Sequence, residues 1–184
     1  MSRKVIATFL ISLDGVVEAP QDWQFPYFND EMAAAIGAAM GSSDAMLVGR
    51  VTYQEWAGFW PDAENEMAEY MNNTPKYVAS TTLDRLEWNN SQLLEGDLPA
   101  AVAALKEQPG KDIVMSGSPT LARALLREGL VDELHLMIHP VVVGEGARLF
   151  PDGDKHALEL VDSKTFGTGV VYATYRPVAS PGGS

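Results

Sequence analysis

The sequence contains no cysteine. Disulfides, thiolate metal sites, iron–sulfur clusters and a cysteine nucleophile are therefore excluded, and the chain suits a reducing compartment. Basic residues are scarce: 13 Lys and Arg stand against 25 Asp and Glu, a formal net charge of −12. That balance argues against a nucleic-acid footprint, although one local arginine suffices for a single phosphorylated cofactor. No apolar run approaches the ~20 residues of a membrane-spanning helix. The apolar stretch 5–13, behind Arg3 and Lys4, is broken by Asp14 too soon for a signal peptide. These features predict a cytoplasmic protein without membrane or nucleic-acid partners. The Gly-x-Gly-x-x-Gly and P-loop spacings are absent, as is the Gly-x-Ser-x-Gly elbow of serine hydrolases. His135 and His139 lie four apart on an expected strand with no acidic third ligand; with His156 they read as structural, and no metal is expected.

What is present is an alternation of apolar runs and capped helices. Residues 5–13 read as a buried strand ending at the turn signal Asp14-Gly15. The loop 14–28 carries Trp23, Phe25, Pro26, Tyr27 and Phe28, too many aromatics for a bare polar loop. Asn29 caps a helix that Gly41 ends. A short strand over 45–48 leads to a helix over 52–59 and another over 62–71; 76–80 is a strand. Asp97-Leu98-Pro99 opens a helix to 108, and 112–115 is a fully buried strand. Ser118-Pro119 opens a helix closed by Gly129. Residues 133–138 and 141–143 read as strands or one bent strand, and the segments around Leu160 and 170–175 as a terminal antiparallel pair. Alternation implies crossovers and a mostly parallel sheet. The expectation is one α/β domain over 1–177, with a small-residue, flexible tail over 178–184.

Three strand-to-helix junctions carry the chemical signal. In the first, a buried strand runs into Ser116-Gly117-Ser118 and a helix starts at once. Free amides and the helix dipole favour an anion there, and Gly117 allows close backbone approach; an ordinary capped helix after a tight turn has the same pattern. The second places Arg50 and Thr52 at a helix start, where the arginine fork suits phosphate; a solvated arginine beside a helix cap has the same pattern. The third, Ser80-Thr81-Thr82, offers hydroxyls that either bind phosphate or turn the chain. In open α/β sheets ligands bind outside the carboxyl ends of the strands, so the three junctions reinforce one another.

Taken in order, Ser12-Leu-Asp-Gly15, Gly49-Arg-Val-Thr-Tyr53, Ser116-Gly-Ser-Pro-Thr120, Asp132-Glu-Leu and Pro140-Val-Val-Val-Gly-Glu-Gly146 resemble the reductase domain of the riboflavin-biosynthesis bifunctional deaminase-reductase. That domain is similar in fold to dihydrofolate reductase. The resemblance runs from Val5 to about Tyr175, and no zinc-binding deaminase signature accompanies it. It implies a dihydrofolate-reductase-like fold: a mixed, mostly parallel central sheet flanked by helices, with a C-terminal antiparallel strand pair. It also implies NADPH as cofactor. Gly49, Arg50 and Thr52 would hold the adenosine-side and helix-end phosphates, and Ser80 and Thr81 would flank the adenine ribose. Gly117, Ser118, Thr120 and Leu121 would cradle the pyrophosphate. Ala7 and the turn Leu13, Asp14, Gly15 and Val16 would lie near the nicotinamide, with the loop 144–146 lining the same cleft or forming a glycine-supported bulge.

The implied activity is hydride transfer from NADPH to a small heterocyclic or ribosylaminopyrimidine-like substrate, as in a 5-amino-6-(5-phosphoribosylamino)uracil reductase. Dihydrofolate reduction, or nucleotide binding without turnover in the same cleft, are the alternatives. Asp14 is the candidate proton donor; water is the other source, and an Asp-Gly turn alone also explains the residue. Trp23, Phe25, Phe28 and Tyr53 are the candidate walls of the substrate pocket. Trp23-Gln-Phe-Pro26 is similar to the Trp-x-Leu-Pro of dihydrofolate reductases, which place a carboxylate two residues after that proline; here Phe28 stands there. A homodimer is expected from the same resemblance.

Overall fold

A computed structural model describes residues 2–178. The expected tail over 178–184 therefore lies outside the described residues except for Val178. Eight strands form one sheet: β1 (Val5–Ser12), β2 (Ser43–Gly49), β3 (Lys76–Ala79), β4 (Ser91–Leu93), β5 (Asp112–Ser116), β6 (Glu133–His139), β7 (Leu158–Thr165) and β8 (Val171–Pro177). Five α-helices connect them: α1 (Asp30–Ser42), α2 (Arg50–Ala57), α3 (Glu66–Asn73), α4 (Leu98–Glu107) and α5 (Pro119–Arg127). The sheet order is β4-β3-β2-β5-β1-β6-β8-β7. β4 to β6 run parallel, and the pairs β6–β8 and β8–β7 are antiparallel.

Alternation along β1 sorts the two faces. Val5, Ala7, Phe9 and Ile11 enter the main core with Val102 and Leu105 of α4 and Leu121, Ala122, Leu125 and Leu126 of α5. Each such leucine contributes roughly 1.5–3 kcal/mol when removed from water. The other face carries two smaller clusters. Met46, Val48, Val78 and Trp88 pack with Tyr53 of α2 and Met71 of α3; Met137, Phe166 and Val170 pack with Met32 of α1. The result is a sheet sandwiched between helix layers.

Local chemistry sets the helix starts. Asn29, Asn65 and Asp97 accept bonds from the amides of Met32, Ala68 and Ala100, the N-cap pattern. The helix expected from 62 therefore begins instead at Glu66, behind Asn65; residues Trp60–Asp62 form a 3-10 turn. α2 starts at Arg50, two residues earlier than expected, and α1 runs past Gly41 straight into β2. β4, three residues of an edge strand, has no apolar alternation to announce it. Residues 141–143, expected as strand, are loop. Their backbone is claimed by the turn after β1: Val141 O accepts from Leu13 N at 2.8 Å, and Val143 N donates to the Asp14 carboxylate at 3.1 Å.

The topology fixes where a ligand can sit. From central β1 the chain builds outward through β2, β3 and β4, returns to insert β5, then crosses to β6 on the other side. The winding direction reverses between β5 and β1, and the crevice outside the carboxyl ends at such a reversal is the general ligand position of open α/β sheets.

Candidate active site at the carboxyl edge of the sheet

Because β1, β2, β3, β5 and β6 are parallel, their carboxyl ends bring the segments after Ser12, Gly49, Ala79, Ser116 and His139 to one edge. Two of the predicted junctions are joined directly. The Ser118 hydroxyl accepts from Gly49 N and donates to Thr52 Oγ1, both at 2.9 Å. Gly117 and Ser118 both adopt left-handed backbone, φ +68 and +58. A Cβ on Gly117 would stand 3.2 Å from Thr52 Oγ1, and one on Gly49 would stand 3.2 Å from Ser118 Oγ. Gly49, Thr52, Gly117 and Ser118 thus form one cradle. It lies between the starts of α2 and α5, whose first-turn amides lack intrahelical acceptors and whose dipoles favour an anion.

Arg50 is the first residue of α2, exposed, with only Gln54 as a side-chain partner at 3.3 Å. Thr120 is exposed on the first turn of α5, and Leu121 puts its side chain into the core. Ser80 turns its hydroxyl inward to accept from the amides of Thr82 and Leu83, while Thr81 is exposed. Ala7 is different. It is fully buried in mid-strand, in register with Met115 and Leu134, with its side chain in the main core rather than at the edge.

The turn after β1 and the loop after β6 are fastened to each other. Ser12 Oγ accepts from Val16 N and donates to Asp14 Oδ1 at 2.5 Å. The Asp14 carboxylate also accepts from the amides of Val143 and Gly144, and Arg148 Nε donates to Asp14 O at 3.1 Å. The Ser12 hydroxyl foremost, then the Gly144 and Val143 amides, hold the Asp14 carboxyl down at about 2. Val16 is buried and bridged to Arg148, Gly15 has φ +87, and Leu13 projects into solvent. At Gly146, φ +116, a side chain would meet Val16 and Glu18 at 3.0 Å. The glycines of this loop therefore permit close seating against the β1 turn.

The aromatic loop divides. Trp23 and Tyr27 stand edge-on to the His139 ring, at 5.1 and 5.8 Å, whereas Phe25 and Phe28 are exposed. Tyr53 belongs elsewhere: it is buried in the core beneath α2 and α3, and its hydroxyl accepts from Trp88 N at 3.0 Å. As a pocket wall it is a correction, since its ring packs against Trp88 instead.

Two polar groups at the edge lie outside the candidate site residues drawn from the sequence, His139, which reads there as structural, and Thr8. His139 ends β6 opposite Ser12 and is fully buried, its Nδ1 donating to Met137 O. Its Nε2 has no partner, and burial lowers its pKa. Thr8, in register with Ser116 and His135, has a buried hydroxyl that also lacks a partner. A histidine closing an apolar strand before Pro140 was the visible signal for the first; an alternating strand gives none for the second.

The family model described as the RibD C-terminal domain matches residues 3–172. The chain belongs to the RibD C-terminal domain family. Its relatives include the uncharacterized protein YyaP of Bacillus subtilis, 33% identical with 94% of each chain covered. Among solved structures, a pyrimidine reductase-like protein of Corynebacterium diphtheriae superimposes with a TM-score of 0.69 at 17% identity, covering 97% of this chain and 93% of that one. Dihydrofolate reductase of Enterococcus faecalis, solved with NADP(H), gives 0.64 at 16% identity, covering 96% and 99%. These likenesses establish the dihydrofolate-reductase-like fold of this RibD C-terminal domain.

Proposed function

We propose that the protein is an NADPH-dependent reductase of a small heterocyclic substrate, of the aminopyrimidine kind reduced in riboflavin biosynthesis. The observation that carries the reading is the cradle in which Ser118 ties Gly49 and Thr52 to Gly117 at two helix starts. Its glycines bring the backbones close together, the first-turn amides of α2 and α5 lack intrahelical acceptors, and Arg50 stands beside it. That chemistry fits a dinucleotide: Gly117, Ser118 and Thr120 for the pyrophosphate, Gly49, Arg50 and Thr52 for the adenosine-side phosphate, Ser80 and Thr81 for the ribose. The bound nicotinamide would supply the hydride.

The chain's own contribution is positioning. Asp14 is an anion at neutral pH, engaged by three donors, so it serves as the clamp that seats the loop after β6 and not as a proton store. Proton delivery then falls to water. Trp23 and Tyr27 cover His139 and would shield the cleft from solvent, and Phe25 and Phe28 remain free to meet a flat ring.

The deciding measurement is fluorescence titration with NADPH, followed by cofactor oxidation against a panel of aminopyrimidine ribosyl derivatives. Saturable binding with turnover is expected. Binding without oxidation of any substrate would favour the nucleotide-binding module instead, and no binding would overturn the reading.

A further inference from the structure

His139 holds a polar atom that neither the cradle nor the Asp14 clamp uses. It closes β6 in register with Ser12, as Met137 is in register with Leu10. The ring therefore lies on the side of the sheet where Leu10, Met137 and Tyr27 pack with Met32 of α1. It is fully buried. Nδ1 lies 2.9 Å from Met137 O, and a carbonyl only accepts, so in the neutral ring Nδ1 carries the proton and Nε2 keeps its lone pair. Burial pulls the pKa down against the carbonyls of Met137 and Ile11, which favours that neutral ring. Among the described residues nothing donates to Nε2. A buried acceptor without a donor has lost its water for nothing in return, and an atom in that state calls for a donor from outside the fold.

What covers Nε2 is detachable. The Trp23 and Tyr27 rings stand edge-on to His139 at 5.1 and 5.8 Å, and both are themselves only half-buried. Residues 19–28 hydrogen-bond among themselves and, through Trp23 Nε1, to Glu18 O; among the described residues they bond to nothing else. Ring contacts, and no backbone bond, seat this loop on the sheet. Inside it Gln24 Oε1, next to Trp23, is a second buried acceptor without a donor. Strand end and cover alike therefore lack N–H groups, and the rings between them are flat and apolar.

We propose that His139 is a substrate-contacting residue: with the aromatic loop shifted aside, Nε2 accepts a hydrogen bond from a ring N–H or amino group of a small planar heterocycle, over which Trp23 and Tyr27 then close. The inference rests on the reductase reading and gives it a selection rule. Rings with free N–H donors are taken, and rings whose nitrogens are substituted are refused. The position suits this, because His139 stands opposite Ser12, at the head of the turn that the motif puts near the nicotinamide.

The probe is 6-aminouracil, which offers ring N–H and amino donors. The control is 1,3-dimethyluracil, a ring of like shape whose nitrogens donate nothing. The readout is the Nε2 resonance of His139 in two-dimensional NMR of protein with isotope-labelled histidine, at pH 7.5, with and without NADP+. The chain has three histidines, so His135→Gln and His156→Gln assign the other two and leave this one untouched. In the free protein His139 Nε2 should resonate as an unprotonated nitrogen. 6-Aminouracil should move it saturably toward the hydrogen-bonded position, and 1,3-dimethyluracil should leave it in place. His139→Leu should weaken 6-aminouracil binding about tenfold. His139→Gln, whose amide oxygen also accepts, should recover most of that loss, and NADPH affinity should hold in both variants. An unmoved Nε2, an equal response to 1,3-dimethyluracil, or undiminished affinity in His139→Leu would each overturn the inference. Should His139→Leu fail to fold, the wild-type resonance and the two uracils still decide. NADPH binding with an unmoved Nε2 would overturn this inference alone; a moved Nε2 without NADPH binding would overturn the cofactor reading alone.

Discussion

Arg50 shows how much one side chain can settle. It begins α2 beside the Gly49–Ser118 contact, and its guanidinium reaches only Gln54 at 3.3 Å. Exposed and nearly uncommitted, it is free to reach a phosphate that NADPH has and NADH lacks. A hydrogen bond to a charged group is worth roughly 1.5–3 kcal/mol, about ten- to a hundredfold in affinity. Wild-type protein should therefore bind NADPH more tightly than NADH by that factor. Arg50→Ala should remove most of the difference while leaving NADH affinity alone. Parallel calorimetric titrations of both cofactors check this, and equal constants in the wild type would refute it. The sequence singles it out through the ordered motif Gly49-Arg-Val-Thr, since a solvated arginine beside a helix cap has the same local pattern. Ala7, given its place near the nicotinamide by its motif alone, has its side chain on the core face with Val5 and Phe9, as strand alternation in the sequence already indicates, so only its backbone is left for a ligand.

Between elements, two fastenings hold the sheet to its surroundings, and each strengthens as pH rises, in separate windows. Lys76 opens β3 and is fully buried, its ammonium donating to the carbonyls of Met71, Asn72 and Thr74 at the end of α3 and lying 4.2 Å from the Trp88 ring. Burial brings its pKa down to about 8 from 10.5. Between those values the unfolded chain holds more protons than the folded one, so stability should rise with pH across that window. Lys76→Met should erase the slope. It should also lower the denaturation midpoint at neutral pH, because each stranded carbonyl costs roughly 1–3 kcal/mol. Urea melts at pH 7, 8 and 10 would test both; an unchanged slope in the variant would assign it to another group. Asp14 behaves in the same sense at the acidic end. Its carboxyl is lowered to about 2, so its contribution is complete above the ordinary carboxylate value and is lost as pH falls through about 2. Asp14→Asn should loosen the loop 140–147, raising amide exchange at Val143 and Gly144, without adding or removing a limb in the neutral pH profile of turnover. A lost limb would restore Asp14 as the proton donor. Most elements were readable because caps and apolar runs coincide. The failures, at 141–143, at β4 and at the start of α3, share a cause. Each depends on a partner distant in sequence or on choosing between neighbouring caps, and apolar periodicity reports neither.

At the scale of the whole molecule, assembly and substrate are the open properties. A homodimer is expected from the family resemblance: β7 is an eight-residue edge strand, exposed almost throughout, with Leu160 and Val161 at the surface, and because its charges and the irregularity between Leu160 and Asp162 oppose edge-to-edge pairing, contact across a two-fold axis would use these apolar side chains. Sedimentation at micromolar concentration should give twice 19.9 kDa; a single species at the chain mass would refute it. The fold itself does not choose the substrate, since the Enterococcus faecalis dihydrofolate reductase shares it at 16% identity. The choice lies at the start of α1. Phe28 occupies the position where the resembling motif has a carboxylate, and it is exposed. Of the two neighbouring acids, Glu31 is committed, its Oε1 accepting from Gly167 N at 2.8 Å and from Asn29 Nδ2 at 3.4 Å and tying α1 to the β7–β8 turn; Asp30 is exposed two positions beyond Phe28 and would reach the ring only with the loop two residues out of register. A pterin ring in this cleft would lose the water on its adjacent N–H donors without gaining a charged acceptor, a cost of roughly 1–3 kcal/mol or more. Dihydrofolate should accordingly be a poor substrate and methotrexate a weak ligand. Phe28→Asp should strengthen methotrexate binding at least tenfold, about the worth of one such charged bond. Isothermal titration decides the matter: nanomolar methotrexate binding by the wild type would mean that another acid reaches the ring, and dihydrofolate would then return as the substrate to test first.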